Sequence, residues 1–144
     1  MQAGRVHIEV HMSRAASEMP VTAVQTETGT MAVATPETTA FDLVRYPAAA
    51  GHWSNVGTVL SELAERISGE RLVEVANLVR LPDTQRLGYL LDLVGESERA
   101  EPLADWLSQW RTTIVRLRPD RSARNRRPDP RWRLIPNERV EIDL

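Results

Sequence analysis

Seven arginines crowd one stretch of this chain: Arg118, Arg121, Arg124, Arg126, Arg127, Arg131 and Arg133. A guanidinium is a planar, permanently charged fork that can hold a carboxylate or a phosphate through two hydrogen bonds at once. A cluster of them points to an anionic partner, either nucleic-acid phosphates or an acidic protein face. The same pattern also describes a solvated loop that touches nothing. Trp132 stands between Arg131 and Arg133. In an alternating strand it faces away from both, which reads as a core tryptophan with two outward arginines and not as a base-stacking platform.

Catalytic sets are harder to assemble. His7 and His11 are four apart within a stretch that alternates as a strand, which separates them by about 13 Å, too far to share one ion. His52 alone completes no metal site. Asp129, Glu141 and Asp143 suggest a magnesium-dependent nuclease, but such a site calls for a basic catalytic residue and the chain has no lysine. Cysteine is absent too, which removes thiolate chemistry and disulfides and suits the cytoplasm. No phosphate-binding glycine loop and no nucleophile elbow is present. The expectation is a protein that is not an enzyme, needs no cofactor or metal, and works by contact.

The charge distribution supports contact as the mode of action. Residues 1–110 carry 8 arginines against 15 acids, whereas residues 111–144 carry 10 arginines against 5 acids. A split of that kind marks an interaction surface or two parts of a chain that pack together. The longest uncharged run, residues 46–61, is too short to cross a bilayer. Glu9, Arg14 and Glu18 interrupt any apolar core of a signal peptide.

The elements that must position these residues follow from periodicity. The 144 residues suit one domain. Residues 5–12, 20–26 and 30–33 alternate as strands, with Thr28-Gly29 as a turn. Thr35, Pro36 and Glu37 form a strong helix start, and that helix runs to about Arg45. A second helix is predicted from a Ser54 cap to a Gly69 stop, and a third over residues 70–80, closed by Pro82. The fourth, capped by Asp83, covers residues 84–94, and the fifth starts near Pro102. Gly88 sits inside the fourth helix between Arg86 and Tyr89, where a missing side chain permits close packing against a sheet. Residues 114–117 read as a strand, and residues 119–130 as an arginine-rich loop. Residues 131–135 and 140–144 read as a hairpin turning around 136–139. The fold class is α+β: N-terminal strands, a layer of four to five amphipathic helices, and a C-terminal β-hairpin joining the same sheet.

Three stretches in order carry a family resemblance. They are Thr35-Pro36-Glu37-Thr38-Thr39 with Asp42, then Gln85-Arg86-Leu87-Gly88-Tyr89-Leu90-Leu91, then Arg131-Trp132-Arg133-Leu134 with Asn137, Glu141 and Asp143. Together they resemble the C-terminal domain of the AbiE-type antitoxins, the AbiEi family of type IV toxin–antitoxin systems. The resemblance covers residues 5–144. It implies a bacterial, cytoplasmic, non-enzymatic protein that counters a nucleotidyltransferase toxin, with or without direct contact, and takes part in transcriptional regulation and phage resistance. Family members carry a winged helix-turn-helix ahead of this domain, and this sequence has no room for one. The contact surface is then expected to be Arg118, Arg121, Arg124, Arg126, Arg127, Arg131 and Arg133, facing a protein partner or, alternatively, the phosphates of DNA or RNA gripped without base reading.

Overall fold

The computed structural model describes residues 21–26, 29–47, 52–123, 126–138 and 140, with the backbone alone at 21–33, 52 and 54. The strand expected over residues 5–12, with His7 and His11, lies outside them, as do Arg124 and residues 141–144.

Two strands open the described chain. β1 (Val21–Thr26) pairs antiparallel with β2 (Gly29–Ala34) in a register that sets Val21 opposite Ala34 and Thr26 opposite Gly29. Gly29 therefore begins the second strand and does not form the turn. The chain then enters α1 (Pro36–Arg45) as expected: the Thr35 hydroxyl accepts the Thr38 N–H at 3.3 Å, and Pro36 occupies a position that needs no N–H donor.

Four more helices follow: α2 (His52–Leu63), α3 (Gly69–Ala76), α4 (Leu81–Leu93) and α5 (Ser97–Leu107). Four expected boundaries move. The second helix starts ahead of Ser54, so Ser54 is not its cap. Gly69 opens α3 and does not terminate its predecessor; Ser68 caps it by accepting the Arg71 N–H. A side chain at Gly69 would place its Cβ 2.6 Å from Pro102 Cγ and 2.9 Å from the Arg99 carbonyl oxygen. The glycine thus lets α3 come close to α5, a use that sequence cannot separate from a helix stop. Pro82 lies in the first turn of α4, where its missing N–H costs nothing, and does not close the helix before it. The fifth helix begins upstream of Pro102, which sits inside it.

The helices share one core, built from Phe41, Val44, Val56, Leu60, Leu72, Leu87, Leu90, Leu91 and Leu103. Each such side chain contributes on the order of 1.5–3 kcal/mol when fully buried. α4 lies against α1, α2 and α5, and is the element around which the rest is arranged. Among the described residues no helix is long and apolar enough to cross a membrane.

The C-terminal region departs most from expectation. β3 (Val115–Arg116) and β4 (Leu134–Ile135) pair in parallel and form their own two-stranded sheet, separate from β1 and β2. Among the described residues Leu134 and Ile135 therefore pair with β3 and not with the N-terminal sheet, and residues 141–144 of the expected hairpin's second strand lie outside them. Residues 131–133 form a turn, not an extended strand. The reason is that Trp132 docks on α4, and the backbone must bend to deliver it.

Candidate functional site

One face of α4 grips the tail. Gln85 is buried, and its amide donates to the carbonyl oxygens of Thr113 at 2.9 Å, Trp132 at 3.0 Å and Arg133 at 3.2 Å. One turn on, Gly88 has no side chain, and a Cβ there would overlap the six-membered ring of the Trp132 indole. Another turn on, Asp92 Oδ2 accepts the indole N–H at 2.7 Å. Residues 85, 88 and 92 lie on one helix face by the 3.6-residue period. Gln85, Gly88 and Asp92 thus form a socket for Trp132, which is fully buried. The glycine does admit close approach, but of an indole ring and not of a sheet.

Arg86 holds the tail from the adjoining face, donating to the Arg116 carbonyl at 3.1 Å. It lies 3.9 Å from Asp83, which is also 3.7 Å from Arg45. Burial pushes the Asp83 carboxyl above its ordinary range, against the pull of Arg45, Arg86 and Arg80. Burial likewise lowers Arg86. The Tyr89 hydroxyl is raised by burial and by the charge of Asp129.

Two further side chains tie the tail to itself. The Asp129 carboxylate accepts the N–H groups of Arg131 at 2.9 Å and Trp132 at 3.3 Å, setting the turn that presents the indole. Asn137 is buried; its oxygen accepts the Arg118 N–H at 2.8 Å, and its amide donates to the carbonyls of Arg118 at 2.9 Å and Arg121 at 3.1 Å. Asp129 is therefore occupied in shaping a turn. Glu141 and Asp143 lie outside the described residues, and no group of three His, Cys, Asp or Glu placed to hold a metal occurs among those described.

The seven arginines divide. Arg118 forms ion pairs with Asp120 at 3.0 Å and Glu138 at 3.1 Å, and hydrogen bonds to the same two acids raise its pKa. Arg121 lies 3.7 Å from Glu138. Arg131 reaches Asp92 at 3.5 Å and Glu101 at 3.3 Å, and its guanidinium lies 5.2 Å from the Trp132 ring centre, so the tryptophan does not face away from it. Arg126, Arg127 and Arg133 are exposed and form no ion pair among the described residues.

Arg133 also lines a groove of about 370 Å³ that the sequence did not reveal. The end of α5 supplies Leu107, the segment after it supplies Trp110, Arg111 and Thr112, and the 130–133 turn supplies Arg131 and Arg133. Trp110 stands four residues after Trp106, a helical spacing that reads as core by default, yet it is 51% exposed. Helical spacing suggested burial, but α5 ends at Leu107, so Trp110 lies beyond the apolar stripe. Gln85 and Asn137 stood within the stretches that carried the family resemblance, but Thr84-Gln85-Arg86 and Pro136-Asn137-Glu138 carry no local sign of a buried amide.

A family model described as the AbiEi antitoxin C-terminal domain matches residues 2–93. That span holds the first two of the three resembling stretches and ends before the tail. No curated protein matches the chain. Among solved structures, the crystal structure of the RV2827C protein from Mycobacterium tuberculosis is 25% identical with a TM-score of 0.55, over 72% of this chain and 35% of that one. The chain spans about a third of that protein's length.

Proposed function

The chain belongs to the AbiEi antitoxin family through its C-terminal domain, and from that premise we propose that it is an antitoxin domain of a type IV toxin–antitoxin system. It counters a nucleotidyltransferase toxin through macromolecular contact and not through catalysis. The family match carries this reading. In the tail, Asp129 and Asn137 hold turns, and Glu138 holds Arg118. The contact surface is Arg126, Arg127 and Arg133, which form no ion pair among the described residues. The direct test is co-expression of the full chain with any nucleotidyltransferase whose gene neighbours its own. Growth is restored by the wild type, and undiminished toxicity overturns the assignment.

A second reading has its own support. The unpaired arginines in the same stretch suit nucleic-acid phosphates gripped without base recognition. Binding then weakens with salt at a log–log slope near −0.9 per phosphate neutralised on duplex DNA. Replacing Arg126 and Arg127 with alanine is expected to reduce the slope by roughly 2, and a flat salt response removes this reading.

A further inference from the structure

Trp110 is the feature neither reading uses. It is half exposed, whereas Trp132 is fully buried and Trp53 is 6% exposed. Trp106 packs beside it with ring centres 5.7 Å apart and planes inclined by 51°, so the indole is braced while much of it stays open. Arg111 follows it in the chain, and Arg133 meets it across the groove. Both arginines are exposed and form no ion pair among the described residues. Arg131, the third arginine of the groove, is already held by Asp92 and Glu101 and acts as wall. Among the described residues no carboxylate lines the groove.

We propose that this groove binds a single-stranded nucleic acid, with one base stacked on Trp110 and the flanking phosphates held by Arg111 and Arg133. An aromatic face bordered by unpaired guanidinium groups is the arrangement that sequence-tolerant single-strand binding requires. The groove volume of about 370 Å³ falls within the range of pockets for ligands of nucleotide size. A duplex keeps its bases stacked on each other and offers none to the indole. A protein partner would bury a face of roughly 800 Å² and has no need of a small concavity. Arg133 is set in advance: its backbone is left-handed at φ 51°, and its carbonyl accepts both the Gln85 amide and the Val115 N–H. This proposal shares Arg133 with the contact surface above but does not rest on the antitoxin reading, because the groove lies outside the family match and its test needs no toxin.

The test uses the full chain with fluorescein-labelled oligouridylate, oligothymidylate and a mixed-sequence duplex, read by anisotropy. The expected result is that a single strand, ribo or deoxy, binds more tightly than the duplex. Trp110→Ala weakens that binding about tenfold, and Trp110→Phe recovers most of it. Replacing Arg111 and Arg133 with alanine weakens it and flattens its salt dependence. Circular dichroism matching the wild type shows that these variants are folded. No binding of single strands, equal or tighter binding of the duplex, or an unchanged affinity in Trp110→Ala overturns the proposal. Displacement of the oligonucleotide by oligoglutamate at equal concentration also overturns it, because a protein-like acidic partner would then be the better fit.

Discussion

The two tryptophans of the tail region, Trp132 and Trp110, sit beside the same kind of residue and have opposite fates. Trp132 is enclosed by Gly88, anchored by Asp92 and covered by Arg131. Trp110 is braced on one side by Trp106 and open beside Arg111 and Arg133. The difference lies in the acids. Arg131 and Arg118 each have carboxylates within reach, and they hold the fold together; Arg111, Arg126, Arg127 and Arg133 have none among the described residues. An arginine count therefore says little, and the presence of a neighbouring acid separates structural arginines from available ones.

The largest effect should follow from emptying the socket. Trp132→Ala is expected to lose about 3–5 kcal/mol, the usual cost of removing a buried tryptophan. Urea denaturation measures it, and a loss below about 1 kcal/mol would mean that the indole is not the tail's anchor. Filling the socket from the other side comes next. Gly88→Ala gains about 0.5–1 kcal/mol in helix propensity. The added methyl overlaps the indole, and overpacking of that kind costs about 1–3 kcal/mol. The net expectation is destabilisation with an altered near-ultraviolet tryptophan signal, and a more stable variant would show that the ring moves freely.

Asp83 gives a smaller effect whose sign is informative. Its folded pKa lies above the unfolded value because burial outweighs the arginines. The carboxyl thus contributes most stability below its unfolded pKa near 3.8, and that contribution is lost as pH rises through the folded value. At neutral pH, Asp83→Asn should then be neutral or slightly stabilising despite breaking two ion pairs. A clear loss of stability in denaturation at pH 7 would show that Arg45 and Arg86 outweigh burial. The smallest effect belongs to the open loop. Arg126→Ala and Arg127→Ala should each change stability by less than about 0.5 kcal/mol, and a larger change in thermal unfolding would reveal a partner within the fold.

Much of the helical layer was legible without coordinates. Thr35-Pro36-Glu37 marked the start of α1, and the apolar spacing from Leu72 to Val75 and from Leu87 to Leu91 marked the inner faces of α3 and α4. Those signals are local: a cap, a proline position and a 3.6-residue period each act within one or two turns. Glycine and proline misled for the same reason. Gly69 and Pro82 were read as stops because stopping is their local meaning, whereas here one admits Pro102 and the other begins a helix.

By itself the sequence determined the helices, the division of charge between the first 110 residues and the tail, and the lack of cysteine and lysine. Tertiary structure alone decided what the tail does with its charge. Asp92 and Trp132 are 40 positions apart, Gln85 and Trp132 are 47 apart, and Arg118 and Asn137 are 19 apart. No periodicity links residues at such separations, because the chain between them is free to turn until packing fixes it. The parallel pairing of β3 with β4, the socket on α4 and the open face of Trp110 all follow from those distant contacts. The arginines were visible from the start; that Arg118 and Arg131 are held by acids follows only from the residues folding brings beside them.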